Sequence, residues 1–184
     1  MNSTETLDVI ARRYACRSFL DTPVPPEQLR LVAEAGVKAP SALNRQPWRL
    51  VVVSDRSTLT RIDQVGMARL KDADPEGFAR VQSRGGLLLY NAPAVVLIAS
   101  EPLDTPWPVA MDAGIVASHV ALAATSLGLD TCVAAMPGLA FEDPELRAQY
   151  MPEGFDFAIA VLMGYAATPG RTPHEPDVTK IRYV

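Results

Sequence analysis

Short apolar runs, none longer than a single β-strand needs, place the tightest limit on how this chain folds. Residues 50–53, 94–99 and 157–163 form such runs, rich in valine, leucine and isoleucine. A continuous apolar run of this length is typical of a strand that is covered on both faces. Stretches with the spacing of amphipathic helices separate the runs. The sequence therefore predicts an α/β or α+β sheet with helices, and its 184 residues suit one domain.

Apolar residues at helical spacing predict where the helices lie. The first helix carries Leu7, Ile10 and Tyr14 on one face, which we expect to be buried. Asn2 or Ser3 is positioned to cap its first turn. Further helices are predicted over residues 26–39, 55–72, 112–127 and 143–150, and a short strand over residues 132–135.

The charge balance and the cysteine count exclude several classes of protein. Lys and Arg number 17 and Asp and Glu 21, which gives a formal net charge of −4 and argues against nucleic acid and anionic membranes as partners. No apolar run approaches the roughly 18 residues of a membrane-spanning helix, and no signal peptide is recognised. Two cysteines, Cys16 and Cys132, form no disulfide framework, so we expect a cytoplasmic protein.

Familiar catalytic and nucleotide-binding motifs are absent from the sequence. The eleven glycines form neither the dinucleotide-binding fingerprint nor the P-loop. The nucleophile elbow, the zinc-protease motif and C-x-x-C are also missing. His119 lies among alanines and His174 in a proline-rich tail, so no metal site is expected.

A local cluster of positive charge follows the first predicted helix. Arg12, Arg13 and Arg17 lie there, and the last two are four residues apart, which places them on one face of a helix. Two guanidinium groups on one face suit a phosphate, because each offers a fork of donors. A solvated basic face explains the same spacing, and on spacing alone it is the better interpretation.

The segment from residue 40 to residue 48, Pro-Ser-Ala-Leu-Asn-Arg-Gln-Pro-Trp, joins a predicted helix to a predicted strand. Prolines near both ends stiffen it, and it concentrates hydroxyl, amide and guanidinium groups. Such a loop is suited to lining a polar heteroaromatic ring. The alternative is an ordinary turn in which Trp48 is simply buried.

Together these two segments resemble the nitroreductase family. Residues 13–19, Arg-Tyr-Ala-Cys-Arg-Ser-Phe, followed by Pro-Val-Pro at 23–25, are similar to the family's opening pattern R-x-S-x-[RK]-x-F…P-[VI]. Residues 40–48 are similar to its P-S-S-x-N-x-Q-P-W loop. Weaker matches follow at 112–114, 127–129 and 164–165, so that the resemblance covers nearly the whole chain.

The resemblance implies an α+β fold with three layers, α/β/α, around a central mixed and mostly antiparallel sheet. It also implies an intertwined homodimer with FMN at the interface. Residues 1–184 would form one FMN-binding domain, with the tail from about residue 166 to 184 extended over the dimer partner.

The resemblance also assigns roles to residues. Arg13, Arg17 and Arg171 would hold the FMN phosphate, with main-chain contacts from Tyr14 and Ala15. The second subunit would contribute the residues Pro40, Ser41, Ala42, Leu43 and Asn44.

Three further residues, Val133, Ala135 and Met136, would lie against the isoalloxazine ring. Arg84 would be the basic group near N1 and O2 of the flavin. Ala15 and Ala42 replace family serines, and the pair at 135–136 replaces Glu-Gly or Gly-Gly.

By this resemblance the chain is an FMN-dependent oxidoreductase that takes a hydride from NAD(P)H onto flavin N5, with NAD(P)H as a transient reductant. Electrons would pass in a ping-pong cycle to a nitroaromatic, a quinone or a related small molecule. Two alternatives stay open. The departures from the family pattern suit a flavin-binding carrier without efficient turnover, and the arginines alone suit a generic anion site.

Overall fold

The computed structural model of the protein describes residues 4–102, 108–168, 173 and 175–184. Its α-helices are α1 (Glu5–Arg12), α2 (Pro26–Gly36), α3 (Arg56–Ala73), α4 (Pro75–Gln82), α5 (Val109–Ser126) and α6 (Pro144–Tyr150). Its strands are β1 (Trp48–Val53), β2 (Ala94–Ser100), β3 (Asp130–Ala134) and β4 (Asp156–Gly164). Short 3-10 helices cover Ala42–Asn44, Met136–Glu142 and Val178–Lys180.

The four strands form one sheet in the order β1-β2-β4-β3, with every neighbouring pair antiparallel. Residues ahead of α2 add two isolated bridges at the sheet margin. Ala15 pairs in parallel with Thr131, and Phe19 pairs antiparallel with Ala166. The expected antiparallel pairing is thus found in all four strands, and among the described residues parallel pairing is limited to this isolated bridge.

Strand β2 is buried at all seven positions, and its two faces contact different layers of helix. Val95 and Leu97 belong to a core cluster that also contains Leu59 and Ile62 of α3. The residues between them, such as Val96, pack with α2 and α5. The α+β fold with three layers, α/β/α, is confirmed.

The first predicted helix differs from the observed one. Helix α1 ends at Arg12, and Thr4 is the N-cap, with its hydroxyl accepting a hydrogen bond from the N–H of Leu7. No residue of α1 is buried, and Leu7 and Ile10 remain 56% and 49% exposed. The amphipathic pattern was interpreted correctly as a helix, but the expectation of a buried face was wrong, because no element of the described chain covers that face.

Strand β1 also departs from the expectation of cover on both faces. It lies at the edge of the sheet, and Arg49 and Val52 are exposed. The helices are centred on β2 and β4, so part of β1 stays uncovered. Residues 73–86 contain α4, whose first turn is capped by Asp74.

Helix α5 is apolar on average over its whole length, although its sequence contains no long uninterrupted run of apolar residues. By length and composition alone it is the one helix in the described ranges that could cross a membrane, with a mean hydropathy of 1.3 over 18 residues. Half of that stretch is buried against α2 and the sheet, as in the core helix of a globular protein.

A buried carboxylate on α3 fixes the segment that follows α4. Asp63 accepts hydrogen bonds from the N–H groups of Leu88, at 2.7 Å, and Leu89, at 3.0 Å. Burial raises the pKa of Asp63 above its ordinary value, although the two backbone donors oppose the rise. The carboxylate therefore anchors the backbone of a loop whose Leu88 and Leu89 side chains are buried in the core.

Replacing Asp63 tests this anchor. We expect Asp63→Ala to lower the free energy of unfolding by about 2–3 kcal/mol, because two buried N–H groups lose their acceptor. Asp63→Asn keeps an acceptor oxygen and should cost far less. Urea unfolding of the three proteins measures both effects, and equal losses in both variants would contradict the role of the acceptor.

The difference in stability between the wild type and Asp63→Asn should also depend on pH. Because folding raises the pKa of Asp63, the folded state binds its proton more tightly than the unfolded chain does. Stability of the wild type relative to Asp63→Asn should be greatest below the ordinary pKa of aspartate and fall as pH rises through the raised value. Urea midpoints of both proteins measured across the acidic range check this trend.

Candidate functional site

Residues 13–19, here called the arginine segment, lie along the start of β3. The N–H of Cys16 donates to the carbonyl oxygen of Thr131 at 2.8 Å, beside the Ala15–Thr131 bridge. Arg13 caps the end of α1 with extended backbone angles, so Arg13 and Arg17 do not share a helical face as predicted.

Both guanidinium groups act on the same place, the start of β3. Arg17 and Arg13 each lower the pKa of the Cys132 thiol, against a larger rise caused by burial. Neither arginine forms a salt bridge to a carboxylate within the described parts of the chain. Two uncompensated positive charges at one point suit a dianionic phosphate better than a neutral ligand.

Tyr14 is held between the arginines and β3. Burial, together with Cys16 and the carboxylate of Asp130, raises the pKa of Tyr14 above its ordinary value, and hydrogen bonds to both neighbours add to the rise. The phenol is therefore neutral at physiological pH. Asp130 also accepts a hydrogen bond from the N–H of Ala166 at 3.0 Å, which joins the start of the tail to this corner.

The far end of β3 carries Val133, Ala135 and Met136, here called the apolar wall. All three are exposed; Val133 lies within β3, and the other two directly follow it. Ala135 is four positions after Thr131, which at the rise of an extended chain places the two about 13 Å apart. The strand therefore joins a cationic end to a flat apolar end, an arrangement that suits a ligand such as FMN with a phosphate at one end and a ring at the other.

The backbone of the 40–47 loop is strained. Leu43, Asn44 and Gln46 have φ values of +52°, +54° and +51°, a region that non-glycine residues seldom occupy. The Leu43 side chain is 81% exposed, so burial does not compensate for the strain. Strained residues of this kind cluster at functional sites, where surrounding contacts hold them in place.

Hydrogen bonds to side chains provide those contacts. Ser41 Oγ accepts from the N–H of Gln46 at 2.9 Å, and the buried Asp112 accepts from the N–H of Ala42 at 3.4 Å. Arg45 pairs with Glu101 at 2.6 Å, with both side chains half-buried. Sequence reasoning missed Asp112 and Glu101 as anchors, because neither lies near the loop in sequence.

The structure does not bring the 40–47 loop and the apolar wall together within one chain. The loop leads into β1 and the wall follows β3, which are the two outer strands of the sheet. Three strand spacings, about 14 Å, separate them. This separation agrees with the expectation that the loop contacts a cofactor held mainly by another subunit.

Two arginines assigned by resemblance have weaker structural support. Arg84 is exposed just after α4, and its N–H donates a hydrogen bond to the carbonyl oxygen of Val81 at 3.0 Å. Arg171 lies outside the described residues. Within the described ranges, no cluster of three or more His, Cys, Asp or Glu side chains could hold a metal ion.

A family model described as "Nitroreductase family" matches residues 10–165 of the chain. The chain belongs to the nitroreductase family. The matched range contains the arginine segment, the 40–47 loop, all four strands and the apolar wall. The resemblance stated from the sequence motifs is thereby confirmed.

Solved structures of family members have the same fold. A nitroreductase from Desulfitobacterium hafniense DCB-2, solved with bound FMN, is 39% identical with a TM-score of 0.92, and the alignment covers 100% of both chains. A nitroreductase from Bacteroides fragilis NCTC 9343, also with bound FMN, is 26% identical with a TM-score of 0.86, over 99% of this chain and 100% of the other.

A curated relative is the putative NADH dehydrogenase/NAD(P)H nitroreductase of Archaeoglobus fulgidus. It is 29% identical over 128 residues, which cover 68% of this chain. The aligned region spans 64% of that protein's length.

The position of the apolar wall depends on a close approach at Gly138. A Cβ atom built there would lie 2.7 Å from the ring of Phe157, which stacks on Phe141 with centroids 5.3 Å apart. We expect Gly138→Ala to destabilise the protein by about 1–3 kcal/mol and to displace Met136. Thermal or urea unfolding measures the loss.

A matched background isolates the cause. In a Phe157→Leu protein, the smaller side chain leaves room for the added methyl group, so Gly138→Ala should cost much less. An unchanged cost on that background would show that Phe157 is not the obstacle.

Proposed function

We propose that this protein is an FMN-dependent NAD(P)H oxidoreductase that reduces a nitroaromatic, a quinone or a related small-molecule acceptor. The observation that carries the proposal is the arrangement of β3, with two uncompensated arginines at one end and an exposed apolar wall at the other. The FMN bound in the D. hafniense and B. fragilis relatives supports it. Bound FMN supplies the redox chemistry, by accepting a hydride from NAD(P)H at N5 and passing electrons on.

The residues of this chain bind and orient the cofactor. Arg13 and Arg17 hold the phosphate by charge-assisted hydrogen bonds, and main-chain groups of Tyr14 and Ala15 complete that end. The apolar wall packs against the ring and excludes water from one side of it. We assign Arg171 to the phosphate and Arg84 to the N1 and O2 edge as parts of the same proposal.

One binding place for both substrates follows from this arrangement. With one face of the ring packed against the apolar wall, only the opposite face is left for both substrates, so NAD(P)H must leave before the acceptor can bind. We therefore propose a ping-pong cycle in which double-reciprocal plots at several acceptor concentrations run parallel. Intersecting lines would contradict a shared binding place.

Exposed apolar surface supports the intertwined homodimer. Leu7 and Ile10 of α1 and Met111 and Ile115 of α5 are exposed, and Met111 is 72% so. A second copy that covers these faces would also bring residues 40–44 of its own loop to the apolar wall. We propose that the tail from about residue 166 extends over that partner, and that the homodimer is cytoplasmic.

A second candidate is a flavin-binding carrier without efficient turnover. It is favoured by three departures from the family pattern, at Ala15, at Ala42 and at the pair 135–136. The two candidates differ in one measurement. An oxidoreductase loses the visible absorption of its flavin rapidly when NADH or NADPH is added without oxygen, whereas a carrier keeps it.

Removing the arginines tests the phosphate assignment. We expect the double variant Arg13→Ala, Arg17→Ala to retain FMN at least a hundredfold more weakly, since each charge-assisted contact contributes roughly 1.5–3 kcal/mol. FMN fluorescence titration measures the affinity. Arg12→Ala removes a neighbouring exposed charge from α1 and should leave the affinity nearly unchanged. Equal affinity in wild type and double variant would reject the assignment.

A charge placed on α5 tests the homodimer. We expect Ile115→Glu to yield a monomer in sedimentation velocity and to lose FMN, because the second subunit no longer supplies its loop. Gln64→Glu, on the exposed side of α3, should leave both properties unchanged. A monomeric variant that still binds FMN with full affinity would show that one chain is sufficient.

A further inference from the structure

Two cysteines lie side by side where the arginine segment meets β3. Ala15 pairs in parallel with Thr131 in an isolated bridge, which brings the next residues, Cys16 and Cys132, close together, and Cys16 contributes to the shift in the pKa of the Cys132 thiol. Both are buried in the same core cluster, with Phe19 and Leu162. Residues far apart in sequence are thus placed next to each other by one bridge.

The usual spacing of paired strands suits a disulfide. Neighbouring strands lie about 4.8 Å apart, and a disulfide joins Cα atoms that are roughly 4.4–6.8 Å apart. Both side chains are thiols in this structure. The Sγ of Cys16 donates to the carbonyl oxygen of Ser18 at 3.3 Å and is also hydrogen-bonded with Tyr14, so closing a disulfide requires these weak bonds to break.

We propose that Cys16 and Cys132 are a redox-active pair that closes to an intrachain disulfide on exposure to hydrogen peroxide, and that this bond staples the arginine segment to β3. The cross-link does not depend on the proposed function. If the arginines hold the FMN phosphate, the staple also fixes that end of the cofactor site, and the oxidised protein releases FMN more slowly.

The reaction balances with one peroxide. The thiolate sulfur of one cysteine attacks a peroxide oxygen, the O–O bond breaks, and hydroxide leaves and takes up a proton, which gives a sulfenic acid. The second sulfur then attacks the first, the S–S bond forms and a second water leaves. Two thiols and one hydrogen peroxide give one disulfide and two waters, so the cysteines lose two electrons and the peroxide gains them.

The surroundings of Cys132 act on its thiolate in opposite directions. Burial, the largest effect, and the neighbouring Cys16 raise the pKa of the Cys132 thiol, whereas the guanidinium groups of Arg17 and Arg13 oppose part of that rise. Both of these arginines belong to the arginine segment, which the disulfide would link to β3.

Peptide mapping tests the cross-link directly. The purified protein is treated with hydrogen peroxide, digested without reduction and examined by mass spectrometry. We expect the peptide that contains Cys16 to be joined to the peptide that contains Cys132, with the loss of two hydrogens and full reversal by dithiothreitol. The sequence contains two cysteines, so no other intrachain pairing competes.

Three results would overturn the proposal. They are a sulfinic acid on either cysteine without a cross-link, a disulfide between two chains, and thiols that stay reduced while urea-unfolded protein is fully oxidised. Mapping of the wild type settles these outcomes even if a cysteine variant folds poorly.

A stability measurement tests the staple. Because the bond closes a loop of more than a hundred residues, we expect oxidation to raise the thermal midpoint of the wild type by roughly 5–10 °C. Cys16→Ser and Cys132→Ser should show no rise under the same treatment. A disulfide that forms and leaves the midpoint unchanged would reject the staple, whatever the protein's activity with FMN.

Discussion

The unpaired edge of β3 is the constraint on which the rest of the site depends. Strand β3 pairs with β4 on one side, and its other edge has main-chain groups that need partners. The arginine segment covers that edge at Thr131 through the hydrogen bond from Cys16, and then turns away. The remainder of the edge, beside Val133, stays open. The edge thus has one end closed by a cationic segment and one end free for a ligand.

Much of the fold could be predicted because the decisive elements are governed by local pattern. Strand β2 is buried at every position, so its apolar run identified it within one residue of its observed end. Helix α3 was predicted from Asp55, which caps it by accepting a hydrogen bond from the N–H of Thr58. Such signals need no knowledge of the rest of the chain.

The errors arose where a pattern depends on what covers it. The apolar face of α1 has helical spacing but no cover within the described chain, so its burial was predicted wrongly. The same limit applies to β1, whose apolar run gave no sign that it would be an edge strand. Arg13 and Arg17 both act on the thiol of Cys132, yet the helical geometry that suggested their pairing is absent.

The sequence identified candidate residues for the site, but it did not predict which of them contact each other in the fold. Motif spacing identified the arginine segment and the 40–47 loop, because those signals are contiguous. The anchors of the loop were not recognised, since Asp112 lies 70 residues from Ala42 and Glu101 lies 56 residues from Arg45. Contacts over such distances in sequence exist only once the sheet has formed.

The separation of the 40–47 loop from the apolar wall has a consequence for the protein in dilute solution. One chain presents the two parts of the site at opposite edges of its sheet, so in the proposed homodimer a complete site requires two chains to meet. The fraction of protein that holds FMN then depends on the protein's own concentration. Dilution below the dimer dissociation constant would release FMN even when free FMN stays at a fixed excess. The cell would set the loading of this protein partly through how much of it is made.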